Sequence, residues 1–399
     1  MSIPDYTLRQ LLELDACTDC RLCADVCPAV SASRDGRLSA VYRLNRLRRM
    51  MKRRAGLLSR LLRKPGPSVE ELAEFSKTVF SCTLCANCQE VCPVGIGLKS
   101  LWCSARQDLV HQNACPTEIE MIRDNLAESH NVFGEDNEER LDWIDDLPDA
   151  PDDRFVRSSA EVVYFGGCVA SFYPMAQQIS MAMVQILDQQ GVDFTLLGED
   201  EWCCGFPLLG AGLKEHLRSH IDHNVDAIKR AGARKVVFSC PSCYQTWREL
   251  YPKDFEIAHA AEFFEELPEI RSMLTEPVML TVCYHDPCDL GRGARVFEAP
   301  RRLIREIPGV KLVELPRNRE NCRCCGGGGN LEMTDPILSA KITEEKIAEV
   351  IATGAQAVVT SCQQCVRTMT GYVKKNQIPI EVMDITQLLH RALAVKKRS

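Results

Sequence analysis

Along the second half of the chain, short apolar runs alternate with longer amphipathic segments, and the whole series occurs twice. Apolar runs at residues 161–165 and 278–282 predict strands. Helix-period segments follow at 175–190 and 299–307, then second apolar runs at 193–197 and 311–315. Long helices are predicted over 214–231 and 336–353, and third strands over 235–239 and 357–361. Strands alternating with helices and ending in Gly-containing turns argue for a parallel α/β sheet in each copy. The first half differs. Leu44, Leu47 and Met51, then Leu58, Leu61 and Leu62, fit helices with one buried face. After Phe133 the apolar period fades and Pro148 and Pro151 interrupt the chain, so residues 134–159 read as a linker or surface strap.

Cysteine positions sharpen the repeat. Cys168 to Cys288 spans 120 residues, Cys203 to Cys324 spans 121 and Cys240 to Cys362 spans 122, a near-constant offset that argues for duplication. With 399 residues the chain is too long for one ordinary core. The expected fold class is α+β and multidomain. A helical N-terminal domain (1–133) leads through the acidic linker (134–159) to two α/β parallel-sheet cysteine-rich domains (160–276 and 277–399).

Charge is uneven. Residues 43–64 carry ten Lys/Arg and no acid; residues 118–153 carry fourteen acids against Arg123 and Arg140. The basic stretch suits an anionic surface or an acidic partner, or else a solvated helical face that offsets negative charge nearby. A net charge of −7 gives no support for nucleic-acid binding. No apolar run approaches the roughly 18 residues of a membrane span, and the N-terminus lacks a basic, signal-like start. The expectation is a cytoplasmic protein, or one peripheral at the inner face of the membrane through a partner.

The chain has 22 cysteines, and eighteen fall into two motifs, each present twice. The first is CxxCxxCxxxCP, at Cys17, Cys20, Cys23 and Cys27-Pro28, and at Cys82, Cys85, Cys88 and Cys92-Pro93. Three closely spaced cysteines wrap a cubane cluster, while the cysteine before proline ligates the other cluster in two-cluster ferredoxins. One [4Fe–4S] cluster is thus assigned Cys17, Cys20, Cys23 and Cys92, and the other Cys82, Cys85, Cys88 and Cys27. The exchange has to span about 55 residues between motifs, more than in compact ferredoxins. Zinc, the alternative, prefers two ligand pairs to a triple with a distant fourth. The second motif is one cysteine, then Cys-Cys-Gly, then CxxC. It comprises Cys168, Cys203, Cys204, Cys240 and Cys243, and again Cys288, Cys324, Cys325, Cys362 and Cys365. Each cysteine element follows a strand or its loop, so the five can converge at one end of a sheet. The alternatives are a structural metal site or a redox dithiol at CxxC.

This second pattern, with Tyr284-His285-Asp286-Pro287-Cys288 opening its second copy, resembles the CCG cysteine-rich domain of heterodisulfide reductases. A two-cluster ferredoxin domain joined to two such repeats resembles the D-type polypeptide of that family, or a fusion of its C-type and B-type polypeptides. The resemblance covers residues 15 to about 390. It implies a noncubane [4Fe–4S] cluster on each five-cysteine set. Relatives serving lactate, glycolate or glycerol-3-phosphate dehydrogenases often have an incomplete first set, whereas both sets are complete here.

Disulfide cleavage takes two electrons, and iron–sulfur clusters deliver one at a time. Two facing noncubane clusters could each supply one electron and capture one sulfur, fed by the cubanes. The expected activity is reduction or formation of a thiol disulfide; the competing expectation is a non-catalytic relay between a dehydrogenase and a quinone or membrane cytochrome. A cytochrome b-type membrane protein or a flavoprotein is the expected partner, since no flavin or nicotinamide motif is present. His285 and Asp286 beside Cys288 could donate protons to departing thiolates, or could fix the loop by hydrogen bonds. Residues Gly326 to Gly329 would let backbone approach a cluster or substrate closely. Cys103, Cys115, Cys283 and Cys322 stand outside the motifs and read as buried thiols.

Overall fold

The computed structural model describes residues 5–55 and 66–394. The chain forms two compact units that interleave along the sequence. One comprises Met1–Arg123, Pro207–Glu215 and Arg323–Glu345; the other comprises Asp124–Phe206, His216–Cys322 and Lys346–Ser399.

The first unit is helical. Helix α1 (Leu8–Ala16) starts at a capping box in which Thr7 and Gln10 satisfy each other's backbone N–H. Helix α2 (Ala40–Ala55) follows. Helix α3 (Val69–Phe80) starts at another capping box, made by Ser68 and Glu71, and α4 (Leu98–His111) comes next. Leu44 and Leu47 of α2 are buried, as their spacing predicts, as are Phe75 and Val79 of α3 and Leu101 and Trp102 of α4. Met51 is half-buried; Leu58, Leu61 and Leu62 lie outside the described residues. Part of the basic face of α2 is paired: Arg46 meets Glu74 and Arg53 meets Glu71, each at 2.8 Å. A smaller core of Ala29, Leu38, Leu331, Leu338 and Ile342 ties residues of the Arg323–Glu345 segment into this unit.

The second unit contains both sheets. Strands β1 (Val162–Phe165), β2 (Phe194–Thr195), β3 (Lys235–Phe238) and β4 (Glu256–His259) form an all-parallel sheet in the order β2-β1-β3-β4. Strands β5 (Leu280–His285), β6 (Val310–Val313), β7 (Ala357–Thr360) and β8 (Glu381–Asp384) repeat the order as β6-β5-β7-β8. The alternating pattern predicts three strands per copy. The fourth strands, β4 and β8, are short sheet-edge strands with an exposed start, which mutes the apolar run. One continuous core serves both copies. It joins Tyr164, Phe194 and Val237 to Val282, Tyr284, Val359 and Leu388. The duplicated halves therefore share one interior. Within the acidic stretch 134–159, a 3-10 helix over Asn137–Asp146 buries Arg140, Trp143 and Ile144, with Trp143 and Ile144 in that core.

Candidate cluster-binding sites

In both CxxCxxCxxxCP motifs the backbone bends the same way. Asp19 and Arg21 have φ of 57° and 66°; Leu84 and Ala86, at the same places in the second motif, have 53° and 61°. Left-handed φ at non-glycine residues is costly, and its recurrence at matching positions marks a required shape. It turns successive cysteines toward one side before short helices at Leu22–Asp25 and Asn87–Glu90.

Two cavities result. Cys17, Cys20, Cys23 and Cys92 line one. Cys27, Cys82, Cys85 and Cys88 line the other, together with Arg43, Lys99 and Trp102. Each cavity thus gathers one cysteine triple and the pre-proline cysteine of the other motif, a donor set that suits a four-thiolate cluster. The two differ in setting. Cys20 is exposed, whereas Cys85 is buried. Burial pushes the Cys27 thiol up to about 11 and raises Cys88 well above the ordinary thiol value, so a free thiolate is disfavoured there without a metal to hold it.

The first five-cysteine set assembles wholly in the second unit. Cys168 follows β1 and Cys240 follows β3, at the point where the strand order reverses. This is where open parallel sheets place ligands. Cys203 and Cys204 come from the loop after β2. Electrostatic coupling links the thiols in series: Cys168 with Cys203, Cys203 with Cys204, Cys204 with Cys243, and Cys243 with Cys240. All five are buried. The neighbouring thiols of Cys203 and Cys243 bring Cys204 down to about 6, while the same crowding and burial hold Cys168 and Cys243 well up. Five such thiols can neither all ionise nor all sit comfortably protonated, which is the donor chemistry a metal cluster resolves. Gly167, at φ +77°, is in a conformation that strains any side chain, and a Cβ there would press on Cys243 Sγ at 3.2 Å.

A buried ion pair supports this loop. Glu201 accepts from Gly166 N at 2.9 Å and Gly167 N at 2.8 Å, and Arg140 Nη1 donates to it at 2.9 Å. Burial raises the Glu201 carboxyl, opposed by Arg140 and the two N–H groups. A parallel device supports the second copy. Arg301 donates to Asp286 at 2.6 and 2.9 Å, and Arg319 N donates to the same carboxylate at 2.7 Å. Asp286 is thus engaged in fixing the loop before Cys288. His285 is fully buried, with Nδ1 3.3 Å from Cys322 Sγ. Cys322 stands 121 residues after Glu201, the offset that relates the two Cys-Cys-Gly turns, and so takes its place in the second copy. Burial opposes its ionisation, yet Lys346, with Nζ at 3.7 Å, and His285 bring it below the ordinary thiol value.

Of the second five-cysteine set, Cys288, Cys362 and Cys365 lie in the second unit, and Cys324 and Cys325 lie in the first. Arg292 Nη2 donates to Cys288 Sγ at 3.2 Å and its Nη1 to Cys322 O at 2.8 Å. Gly326 N donates to Cys324 Sγ at 3.4 Å, and Cys365 N to Cys362 Sγ at 3.4 Å. These N–H donors match the backbone hydrogen bonding to sulfur that tunes cluster sites. The glycine run contacts protein backbone: a Cβ on Gly328 would lie 2.5 Å from Thr83 O, and one on Gly329 2.3 Å from Cys82 O. Of the remaining cysteines, Cys283 and Cys322 are buried, and Cys103 and Cys115 are half-buried. Sequence reasoning missed Arg140, Glu201, Arg292, Arg301 and Lys346, because a lone arginine or carboxylate carries no spacing signal.

Paired four-cysteine cavities, together with duplicated parallel sheets bearing buried cysteines, define an iron–sulfur protein. The cysteine-rich domain family matches residues 162–248 and 282–370, and the 4Fe-4S dicluster domain family matches residues 13–96. The chain belongs to the family of heterodisulfide reductase D-type polypeptides, iron–sulfur components of an oxidoreductase. It is 34% identical over 411 residues to the D-type polypeptide of dihydromethanophenazine:CoB–CoM heterodisulfide reductase from Methanosarcina mazei, covering 99% of this chain and 97% of that one. The Methanosarcina acetivorans protein of the same name is 35% identical over 403 residues, covering 98% and 97%. The EtfAB:quinone oxidoreductase of Syntrophomonas wolfei is 25% identical over 433 residues, covering 98% of this chain and 60% of that protein. Among solved structures, an aspartate racemase homologue from Pyrococcus horikoshii OT3 covers 58% of this chain and 96% of its own at 14% identity. Its TM-score of 0.26 is too low to bear on fold or function.

Proposed function

We propose that this chain passes electrons through two cubane [4Fe–4S] clusters to two noncubane [4Fe–4S] clusters, which reduce or form a thiol disulfide. Cys17, Cys20, Cys23 and Cys92 hold one cubane, and Cys82, Cys85, Cys88 and Cys27 the other. Cys168, Cys203, Cys204, Cys240 and Cys243 hold one noncubane cluster, and Cys288, Cys324, Cys325, Cys362 and Cys365 the second. The observation that carries this reading is the buried five-thiol set gathered at the switch point between β1 and β3, its thiols coupled to one another. When bound, the clusters supply single electrons. The chain's own residues orient the thiols: Glu201 and Arg140 fix one cysteine loop, and Asp286 and Arg301 fix the other. The name of the Methanosarcina relatives supports a thiol-cofactor disulfide as the substrate class.

A second reading, a relay between a flavoprotein dehydrogenase and a quinone or membrane cytochrome, is favoured by similarity along 98% of the chain to an EtfAB:quinone oxidoreductase. Among the described residues no helix is long and apolar enough to cross a membrane. In either role a cytochrome b-type or flavoprotein partner completes the path, with the chain in the cytoplasm or peripheral at the inner membrane face. Anaerobic purification, iron analysis and EPR test the reading: four clusters require about 16 iron per chain. A paramagnetic signal that appears on adding a thiol disulfide, and is lost in Cys325→Ser, supports catalysis. Full iron content with no response to any disulfide supports the relay.

A further inference from the structure

Four arginines are less than 2% exposed among the described residues: Arg43, Arg106, Arg140 and Arg301. Arg140 and Arg301 each pair with a buried carboxylate, Glu201 and Asp286. Arg43 and Arg106 do not. Arg43 Nη2 donates to Ser81 O at 3.1 Å, beside the cavity lined by Cys27, Cys82, Cys85 and Cys88. Arg106 directs its donors to five backbone carbonyls. It reaches Val79 and Phe80 at the end of α3, Cys82 at 2.8 Å, Gly210 at 2.5 Å and Gly329 at 2.8 Å. All five acceptors are neutral, and the nearby groups able to carry negative charge are the thiols Cys82 and Cys103.

A buried guanidinium without an anion is unfavourable, and carbonyl oxygens alone compensate it poorly. A cluster ligated by four thiolates carries the missing negative charge. Its one-electron reduction adds one more, which a fixed cation in a low-dielectric setting favours. The acceptors are also informative. Cys82 opens the second ferredoxin motif. Gly210 and Gly329 lie shortly after Gly205 and Gly326, the glycines of the two Cys-Cys-Gly turns. The fit is tight: a Cβ on Gly212 would lie 2.5 Å from the Arg106 backbone, and one on Gly329 2.3 Å from Cys82 O.

We propose that Arg106 is, beside the cavity-lining Arg43, a second buried counter-cation of the second cubane cluster and the junction that fixes its loop to the chain following both Cys-Cys-Gly turns. Arg106 is then a positioning residue that sets the potential of one cubane. This rests on reading Cys82, Cys85, Cys88 and Cys27 as cubane ligands.

The test is an EPR-monitored redox titration of the full chain carrying Arg106→Met or Arg106→Lys, with iron counted in each. Cys85→Ser, which alters a ligand of the second cubane, marks its signal. The expected result is a negative shift of that midpoint in Arg106→Met, no shift of the other cubane, and a near-native midpoint in Arg106→Lys. Native midpoints in both variants overturn the proposal. Equal negative shifts in both also overturn it, since the lost hydrogen bonds rather than the charge would then set the potential. If Arg106→Met fails to hold iron, Arg106→Lys decides: a near-native midpoint supports the proposal and a negative shift overturns it. Absence of cubane signals from the native chain would instead defeat the ligand reading beneath it.

Discussion

The side-chain amide of Gln363 donates to the carbonyl oxygen of Gly166 at 2.7 Å. Gln363 lies between the cysteines of the second copy's CxxC, and Gly166 lies two residues before Cys168 in the first copy. The same amide donates to Ser239 Oγ at 2.8 Å and accepts from Ala170 N at 3.1 Å. A bond in the opposite sense joins Ser242, within the first copy's CxxC, to Asp289, next to Cys288, at 2.6 Å. Each CxxC helix start thus reaches into the first-cysteine loop of the other copy. Within each copy a buried tyrosine holds the serine before the CxxC: Tyr164 to Ser239 at 2.8 Å and Tyr284 to Ser361 at 3.0 Å.

Replacing Gln363 with leucine keeps the bulk and removes all three bonds, leaving Ala170 N and Gly166 O buried without that partner. Unsatisfied buried groups cost about 1–3 kcal/mol each. The spectroscopic effect is expected in the copy that Gln363 does not belong to. In a Cys288→Ser background, where the second set is broken, Gln363→Leu should alter the remaining noncubane EPR signal. An identical line shape would show that the bridge does not bear on the first set.

The cavity linings predict which cysteines act together. Cys92→Ser should change the same cubane signal as Cys20→Ser, and Cys27→Ser the same signal as Cys85→Ser. EPR of the four single variants, reduced under identical conditions, checks the pairing. If Cys92→Ser tracked with Cys85→Ser, each motif would be holding its own cluster and the exchange would be wrong.

Gly329→Ala should cost a cluster. At φ +62°, a side chain carries a penalty of roughly 1–2 kcal/mol, and its Cβ would collide with Cys82 O at 2.3 Å. Neither backbone can yield without moving Cys82, a proposed ligand of the second cubane. Iron analysis should show a loss of about four atoms per chain. Gly354→Ala is the control, since φ there is +71° and nothing lies within 4 Å. It should retain full iron; equal iron in both variants would remove the close-approach explanation.

Spacing made the cysteines legible. Short-range constraints, the left-handed turns at Asp19 and Leu84 among them, impose a pattern that survives in linear order. The parallel sheets were legible for a similar reason: Val162 to Phe165 and Ala357 to Thr360 are buried throughout and read as apolar runs. What the chain hides is long-range. Glu201 and Cys322 occupy equivalent positions with unrelated chemistry, and nothing local assigns Arg140 to one or Lys346 to the other. The acidic stretch 134–159 read as polar because its few core residues, Trp143, Ile144 and Phe155, have no helical or strand period. Leu331, Leu338 and Ile342 likewise look like part of a repeat unit, yet pack with Ala29 and Leu38, about 300 residues away in sequence.

His259, at the end of β4, predicts an acid-side loss of stability. It is buried, and its Nδ1 accepts from Ala261 N at 3.2 Å, capping the helix Ala260–Glu266. Burial pushes its pKa from 6.5 down to about 3. Above pH 6.5 the imidazole is neutral in both folded and unfolded chains, and stability is independent of it. As pH falls from 6.5 toward 3, the unfolded chain takes up a proton that the folded chain refuses, so stability declines by up to about 1.4 kcal/mol per pH unit. Protonation at Nδ1 would also abolish the cap. Asparagine can accept the same N–H bond and does not titrate. Urea unfolding followed by circular dichroism at about pH 7.5 and about pH 5.5 should therefore show a drop in the native chain that is smaller by about 1.4 kcal/mol in His259→Asn. The same drop in both would place the acid-sensitive proton elsewhere.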